Sequence, residues 1–195
     1  MRHHWAGVWI GAGLFLVVLV ALGAVAVEKL PIGSQAPMAE RAMPGVDGER
    51  HSIQSVAEAN GVVVLFTGNT CPWVKAWEDR YPALAAHADS HDVGVLAVNA
   101  NAAARDDGEG LSAMTRRAQN AGYSFPYVLD ENARLADAFG ATTTPGVYLF
   151  NGTLRLVYRG AIDDNAKTAE AAEHAYLRDA IEAMVAGEAP PTKIT

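Results

Sequence analysis

Residues 61–77 read GVVVLFTGNTCPWVKAW, and this stretch decides the fold. The run from Gly61 to Thr67 is apolar, uninterrupted and rich in β-branched residues, which suits a central strand buried on both faces. Beyond a short polar turn, Trp73, Trp77, Tyr81 and Leu84 recur at helical spacing, so a helix is predicted over 72–90, with Pro82 kinking or breaking it. Pro72 fits the first turn, where its missing N–H is not needed. Cys71 therefore stands where a strand hands over to a helix. Unpaired backbone N–H groups and the positive end of the helix dipole meet there. Such surroundings stabilise a thiolate, which is the nucleophilic form of cysteine.

Working outward, Val93–Val98 is a second buried strand, and 99–110 is polar and read as a solvated loop. Leu111–Ala121 is a helix stopped by Gly122, Phe125–Leu129 a short strand, and Asn132–Phe139 a helix stopped by Gly140. Val147–Phe150, Asn151-Gly152 and Thr153–Tyr158 form a strong hairpin signal, and Ala171–Ala186 is an amphipathic helix closed by Gly187. Upstream, the Asp47-Gly48 turn marks a small hairpin, and Ser52 caps a short helix running to Asn60. Strands joined by helices, followed by an antiparallel hairpin, make a mixed sheet covered on both faces.

The chain has 195 residues, half of them hydrophobic, enough for one domain and an appendage. Its formal charge of -7, without a Lys/Arg-rich run, argues against nucleic acid as partner. One cysteine excludes an internal disulfide and a multi-cysteine zinc site. Residues 5–27 are uncharged and nearly all apolar, long enough to span a bilayer. Arg2 in the short tail 1–4 sets that tail cytoplasmic and the remainder extracytoplasmic, in the periplasm if the cell is Gram-negative. The competing reading is a signal peptide cleaved near Ala24-Val25-Ala26, which would leave a secreted domain. Residues 28–42 then serve as a tether, 43–187 as the domain, and 188–195 as a flexible tail.

Several motifs together resemble the thioredoxin-like superfamily, in its AhpC/TSA-type redoxin branch. They are Cys71-Pro72-Trp73-Val74-Lys75 after its strand, Thr144-Pro145 before a later strand, Asn151-Gly152, Gly45-Val-Asp-Gly48, Asn99-Ala-Asn101 and Tyr158-Arg-Gly-Ala-Ile-Asp-Asp164. The resemblance spans Ile32 to Ala186 and implies a three-layer α/β/α sandwich with a mixed central sheet, here preceded by the apolar N-terminal segment. It implies that Cys71 is the attacking cysteine. It also implies that Thr144-Pro145 is a cis-proline loop facing that cysteine, with Pro72 and Trp73 completing a substrate groove. Lys75 and Arg80 would add positive charge. The sequence departs from the dithiol pattern. Val74 occupies the place of the resolving cysteine, Leu65 that of a buried acid, and Gly68 that of a peroxidase threonine.

Two functions follow. The first is a single-cysteine redoxin whose Cys71 attacks a disulfide or a peroxide, with an external thiol as reductant that resolves the adduct. Its partners would be protein or small-molecule thiols and disulfides, and it needs no cofactor or metal. The second is a binding module that keeps the groove and has lost turnover. Asp163-Asp164 is read as a loop that caps the following helix rather than a metal pair. Asp106-Asp107-Gly108-Glu109 lacks calcium-loop spacing, so a solvated loop is expected. His87 and His91 are taken as exposed residues at a helix end.

Overall fold

The computed structural model describes Met1 and residues 28–195. The central run forms the strand it predicts. Numbered in chain order, the elements begin with a two-residue hairpin, β1 (Met43–Pro44) and β2 (Arg50–His51), across the Asp47-Gly48 turn. Helix α1 (Ile53–Val56) follows, with Ser52 and Ser55 exchanging side chain-to-backbone hydrogen bonds at its start. Strands β3 (Gly61–Thr67) and β4 (Val93–Asn99) are buried at every position. Between them run α2 (Pro72–Trp77), a 3-10 turn over Glu78–Arg80, and α3 (Tyr81–Asp89). The break predicted from Pro82 thus falls one turn earlier, because proline is accepted in the first turn of a new helix.

The second half contributes α4 (Leu111–Ala121), β5 (Tyr127–Leu129), α5 (Arg134–Phe139), β6 (Gly146–Asn151), β7 (Leu156–Gly160) and α6 (Tyr176–Val185). The sheet order is β5-β4-β3-β6-β7. β3 pairs in parallel with β4 and antiparallel with β6, giving the mixed sheet. Alternation along β3 divides the core. Val62, Val64 and Phe66 pack with Ile53 of α1 and with Leu135 and Phe139 of α5. Val63 and Leu65 face the other way, onto Trp77, Tyr81 and Leu84 and onto Leu177 and Ile181 of α6. The result is the α/β/α sandwich of a thioredoxin-like fold.

Three sequence readings are corrected. The first is the single-pass membrane location. No helix among the described residues is long and apolar enough to cross a membrane. The longest, α4, has 11 residues, about 16 Å at 1.5 Å per residue, against a hydrocarbon core of about 30 Å. The run 5–27, on which the extracytoplasmic placement was built, lies outside the described residues. Second, residues 28–42 are not a loose tether. Leu30 N–H donates to Phe139 O, Gly33 N–H to Leu156 O and Ala36 N–H to Leu154 O, while Leu30 and Ile32 pack on the core. Third, the C-terminal residues are not loose. Arg159 N–H donates to Lys193 O, and the Thr195 hydroxyl receives the Ala161 N–H at 2.7 Å.

Gly140 closes α5 at φ 60°, and a Cβ there would stand 2.3 Å from the Glu28 carbonyl oxygen. Gly140→Ala is expected to cost about 1–2 kcal/mol from the left-handed backbone alone, and more from that clash. Urea unfolding would register it as a lower midpoint with an unchanged slope.

Candidate active site

Cys71 is the residue immediately before α2, with extended backbone (φ -65°, ψ 121°), and it is half-buried. Its thiol donates to the Thr144 carbonyl oxygen across 3.6 Å. The Thr144–Pro145 peptide is cis, as the resemblance implied. Strand β3 fixes the turn that carries the cysteine, and β6, its antiparallel neighbour, fixes the loop that carries Thr144. Two residues 73 positions apart in sequence thus meet at one end of the sheet.

The sulfur opens onto two clefts. One is mainly apolar, walled by Trp73, Trp77, Pro145 and Ile162. The other is lined by Gly68, Asn101, Asp137 and Thr142–Thr144. Trp73 is 65% exposed and Trp77 only 9%, so the first is an open wall and the second belongs to the core. Pro72 is exposed beside Trp73. Val74 is fully buried, so the position of a resolving thiol is filled by a core side chain. Leu65 is likewise buried among apolar neighbours.

The charges expected to support Cys71 are placed differently. Lys75 is exposed and forms no ion pair among the described residues. Arg80 is buried and committed elsewhere. Its Nε donates to Asp163 at 2.8 Å, its other nitrogens to Asp79, Ala76 O and Asn165 O, and it lies 4.8 Å over the Trp77 ring. Arg80 therefore ties the 163–165 loop to the helical layer instead of offering free charge to the thiol. Asp164 does not cap a helix as expected: its Oδ1 receives the N–H groups of Glu173 and His174, which lie in the loop ahead of α6, and no side chain caps α6 itself. One ligand-type atom from each of Asp164, Glu173 and His174 falls within 4.8 Å of the others, all three residues being exposed.

The residue that sequence reasoning missed is Glu109. The acidic stretch that carries it reads as a solvated loop, yet Glu109 is wholly buried. Its carboxylate accepts from Asn69 N–H, from the N–H and hydroxyl of Thr70, and from the side-chain amides of Asn99 and Asn101. Burial pushes its pKa up, but the hydrogen bonds from Thr70, Asn69 and Asn99 outweigh burial and hold it below the usual carboxylate value. Glu109 thereby pins Asn69 and Thr70, the two residues immediately before Cys71. Gly68 makes room for it, since a Cβ there would stand 3.3 Å from Glu109 Oε1. Arg105 closes the network by donating to Asn99 Oδ1, Asn99 O, Glu109 O and Asp130 O. The available signal was the cluster of asparagines at strand ends, whose buried amides demand an acceptor.

The sequence profile of the AhpC/TSA family matches residues 32–159. The chain belongs to the AhpC/TSA family. Among curated proteins, the thiol-disulfide oxidoreductase ResA of Bacillus subtilis (strain 168) is 27% identical over 153 residues, covering 73% of this chain and 78% of ResA. Among solved structures, an uncharacterized conserved protein from Geobacillus kaustophilus superposes with a TM-score of 0.77 at 32% identity, over 85% of this chain and 87% of that one. A hypothetical protein from Sinorhizobium meliloti 1021 gives 0.76 at 27% identity, over 86% and 91% of the two chains. This AhpC/TSA chain is a thioredoxin-like redoxin, and its family makes thiols and disulfides the substrate class to consider first.

Proposed function

We propose that this redoxin performs thiol–disulfide exchange through Cys71 alone. The thiolate of Cys71 attacks one sulfur of a substrate disulfide, forming a mixed disulfide and releasing the other half as a thiolate. An external thiol then resolves the adduct, because Val74 stands where an internal partner would be. The observation that carries this reading is the half-buried sulfur beside the Thr144 carbonyl, open to the cleft of Trp73 and Pro145. Pro72, Trp73, Thr144 and Pro145 form the groove in which the substrate lies against the sulfur. Peroxide reduction is the lesser reading, since Gly68 offers no hydroxyl and the charge of Arg80 is paired with Asp163.

The test is intact-mass analysis after mixing the protein with hydroxyethyl disulfide. A single adduct is expected on Cys71, removed on adding mercaptoethanol. An unmodified protein at saturating disulfide would overturn the reading and leave the alternative of a binding module that keeps the groove without turnover.

A further inference from the structure

Beside the Trp73 cleft lies a second concavity that the site above does not use. It is lined by Lys29, Thr143, Pro145, Tyr148, Arg159 and Thr195. The two concavities share Thr143, Pro145, Val147 and Ala161, so they are continuous around the loop that touches Cys71. Thr143 and Pro145 flank Thr144, whose carbonyl is 3.6 Å from the sulfur, and successive Cα atoms are only about 3.8 Å apart. The two pockets therefore meet at the loop whose Thr144 carbonyl touches the sulfur.

Two basic side chains, Lys29 and Arg159, line the second pocket. Neither Lys29 nor Arg159 forms an ion pair among the described residues. The Arg159 Nε is buried with no hydrogen-bond partner among the described residues. Residues 2–27 contain no Asp or Glu, so no side chain from that segment supplies the missing anion. In a chain with 22 acidic and 15 basic side chains, two cations lining one concavity favour an anionic ligand there. The planar fork of arginine suits a carboxylate, and a lysine alongside suits its remaining charge. Lys29 is held in place, since Leu30 N–H bonds to Phe139 O and Gly140 packs against the Glu28–Lys29 backbone.

We propose that the resolving thiol is a low-molecular-weight thiol bearing a carboxylate, which sits between Lys29 and Arg159 while its sulfur meets Cys71. This rests on the reading of Cys71 as the nucleophile. In the first resolving step the small thiolate forms a bond to Cys71 Sγ. The bond from Sγ to the substrate sulfur breaks, and the electron pair leaves on the substrate as its thiolate. A second molecule of the small thiol attacks the bound one, freeing Cys71 as thiolate and yielding the symmetric small disulfide. The two thiols lose the two electrons that the substrate disulfide gains.

The test starts from Cys71 carrying a neutral chromophoric thiol in mixed disulfide. Release is timed with mercaptopropionate, mercaptoethanol and cysteamine, each rate divided by that thiol's rate with a small-molecule disulfide. Mercaptopropionate is expected to lead mercaptoethanol by about tenfold, and cysteamine to trail. In Arg159→Met and Lys29→Met that ratio should collapse toward the solution value. Butyrate titrated by NMR against Cys71→Ser protein should move the Gly146 and Gly160 amides, and fail to do so when Arg159→Met is added. Equal corrected rates for the three thiols with no butyrate shift would overturn the carboxylate site while leaving the redox reading standing. Failure of the adduct to form at all would overturn both, and the two failures are separable by mass.

Discussion

Cys71→Ser is expected to lower disulfide turnover by about a thousandfold or more while the protein stays folded. The size of the effect follows from chemistry. A hydroxyl at neutral pH has almost no anionic fraction, and oxygen forms no exchangeable bond to a disulfide sulfur, so the covalent step is removed, not slowed. The stability should hardly move. Cys71 is half-buried and makes one weak S–H···O contact, to the Thr144 carbonyl. A serine hydroxyl placed there donates to the same carbonyl, so the exchange should fall within about 1 kcal/mol. For a chain of this length that is a shift of about 2–4 °C in Tm. The measurement pairs steady-state reduction of hydroxyethyl disulfide with a thermal melt. Turnover surviving in folded Cys71→Ser protein would remove the sulfur from the mechanism. A variant that loses turnover and still retains a partner in pull-down would show that the groove binds without the thiol.

Much of this architecture was legible in the sequence because its strongest signals are local. Gly61–Thr67 and Val93–Asn99 are apolar at nearly every position, and only a strand covered on both faces hides all of them. Gly122 and Gly140 stop their helices in the left-handed conformation that other residues resist. Asn151-Gly152 turns the β6–β7 hairpin, with Asn151 Oδ1 receiving the N–H groups of Thr153 and Arg155. Cys71 was legible for the same reason, since its placement depends on the strand before it and the proline after it. What stayed hidden depends on partners far along the chain. Arg80 finds Asp163 across 83 positions, and Glu109 reaches Asn69 across 40. Three acidic residues and a glycine in a row, Asp106 to Glu109, look solvated on any local scale. Only the folded chain shows that the last of them turns inward to meet the loop before Cys71. Lys29 and Arg159 were passed over too, because a charge without a partner has no signature until its surroundings are known.

Glu109 carries the second large effect. Glu109→Ala would leave two backbone N–H groups, a hydroxyl and two amide side chains without their shared acceptor. Each buried orphan costs about 1–3 kcal/mol. Relaxation and water entering the vacated space offset part of that, so a loss of about 3–5 kcal/mol is expected in urea unfolding at neutral pH, comparable to breaking a buried ionic contact. Glu109→Gln keeps the shape and one acceptor oxygen, but it turns an NH2 toward groups that are themselves donors, and it should cost about 1–3 kcal/mol. The sign of the pH dependence separates charge from packing. The Glu109 carboxyl titrates lower in the folded protein than when unfolded. Its stabilising contribution is therefore complete above the unfolded value of about 4.3, and it is lost as pH falls through the lower folded value. Wild-type stability should drop more steeply than that of Glu109→Gln below about pH 4.3, and the two curves should run parallel above it. The same variants should slow adduct formation at Cys71, because Asn69 and Thr70 set where the sulfur lies relative to Thr144. Parallel curves through the acid range, with adduct formation at the wild-type rate, would reduce Glu109 to a packing residue with no hold on the cysteine loop.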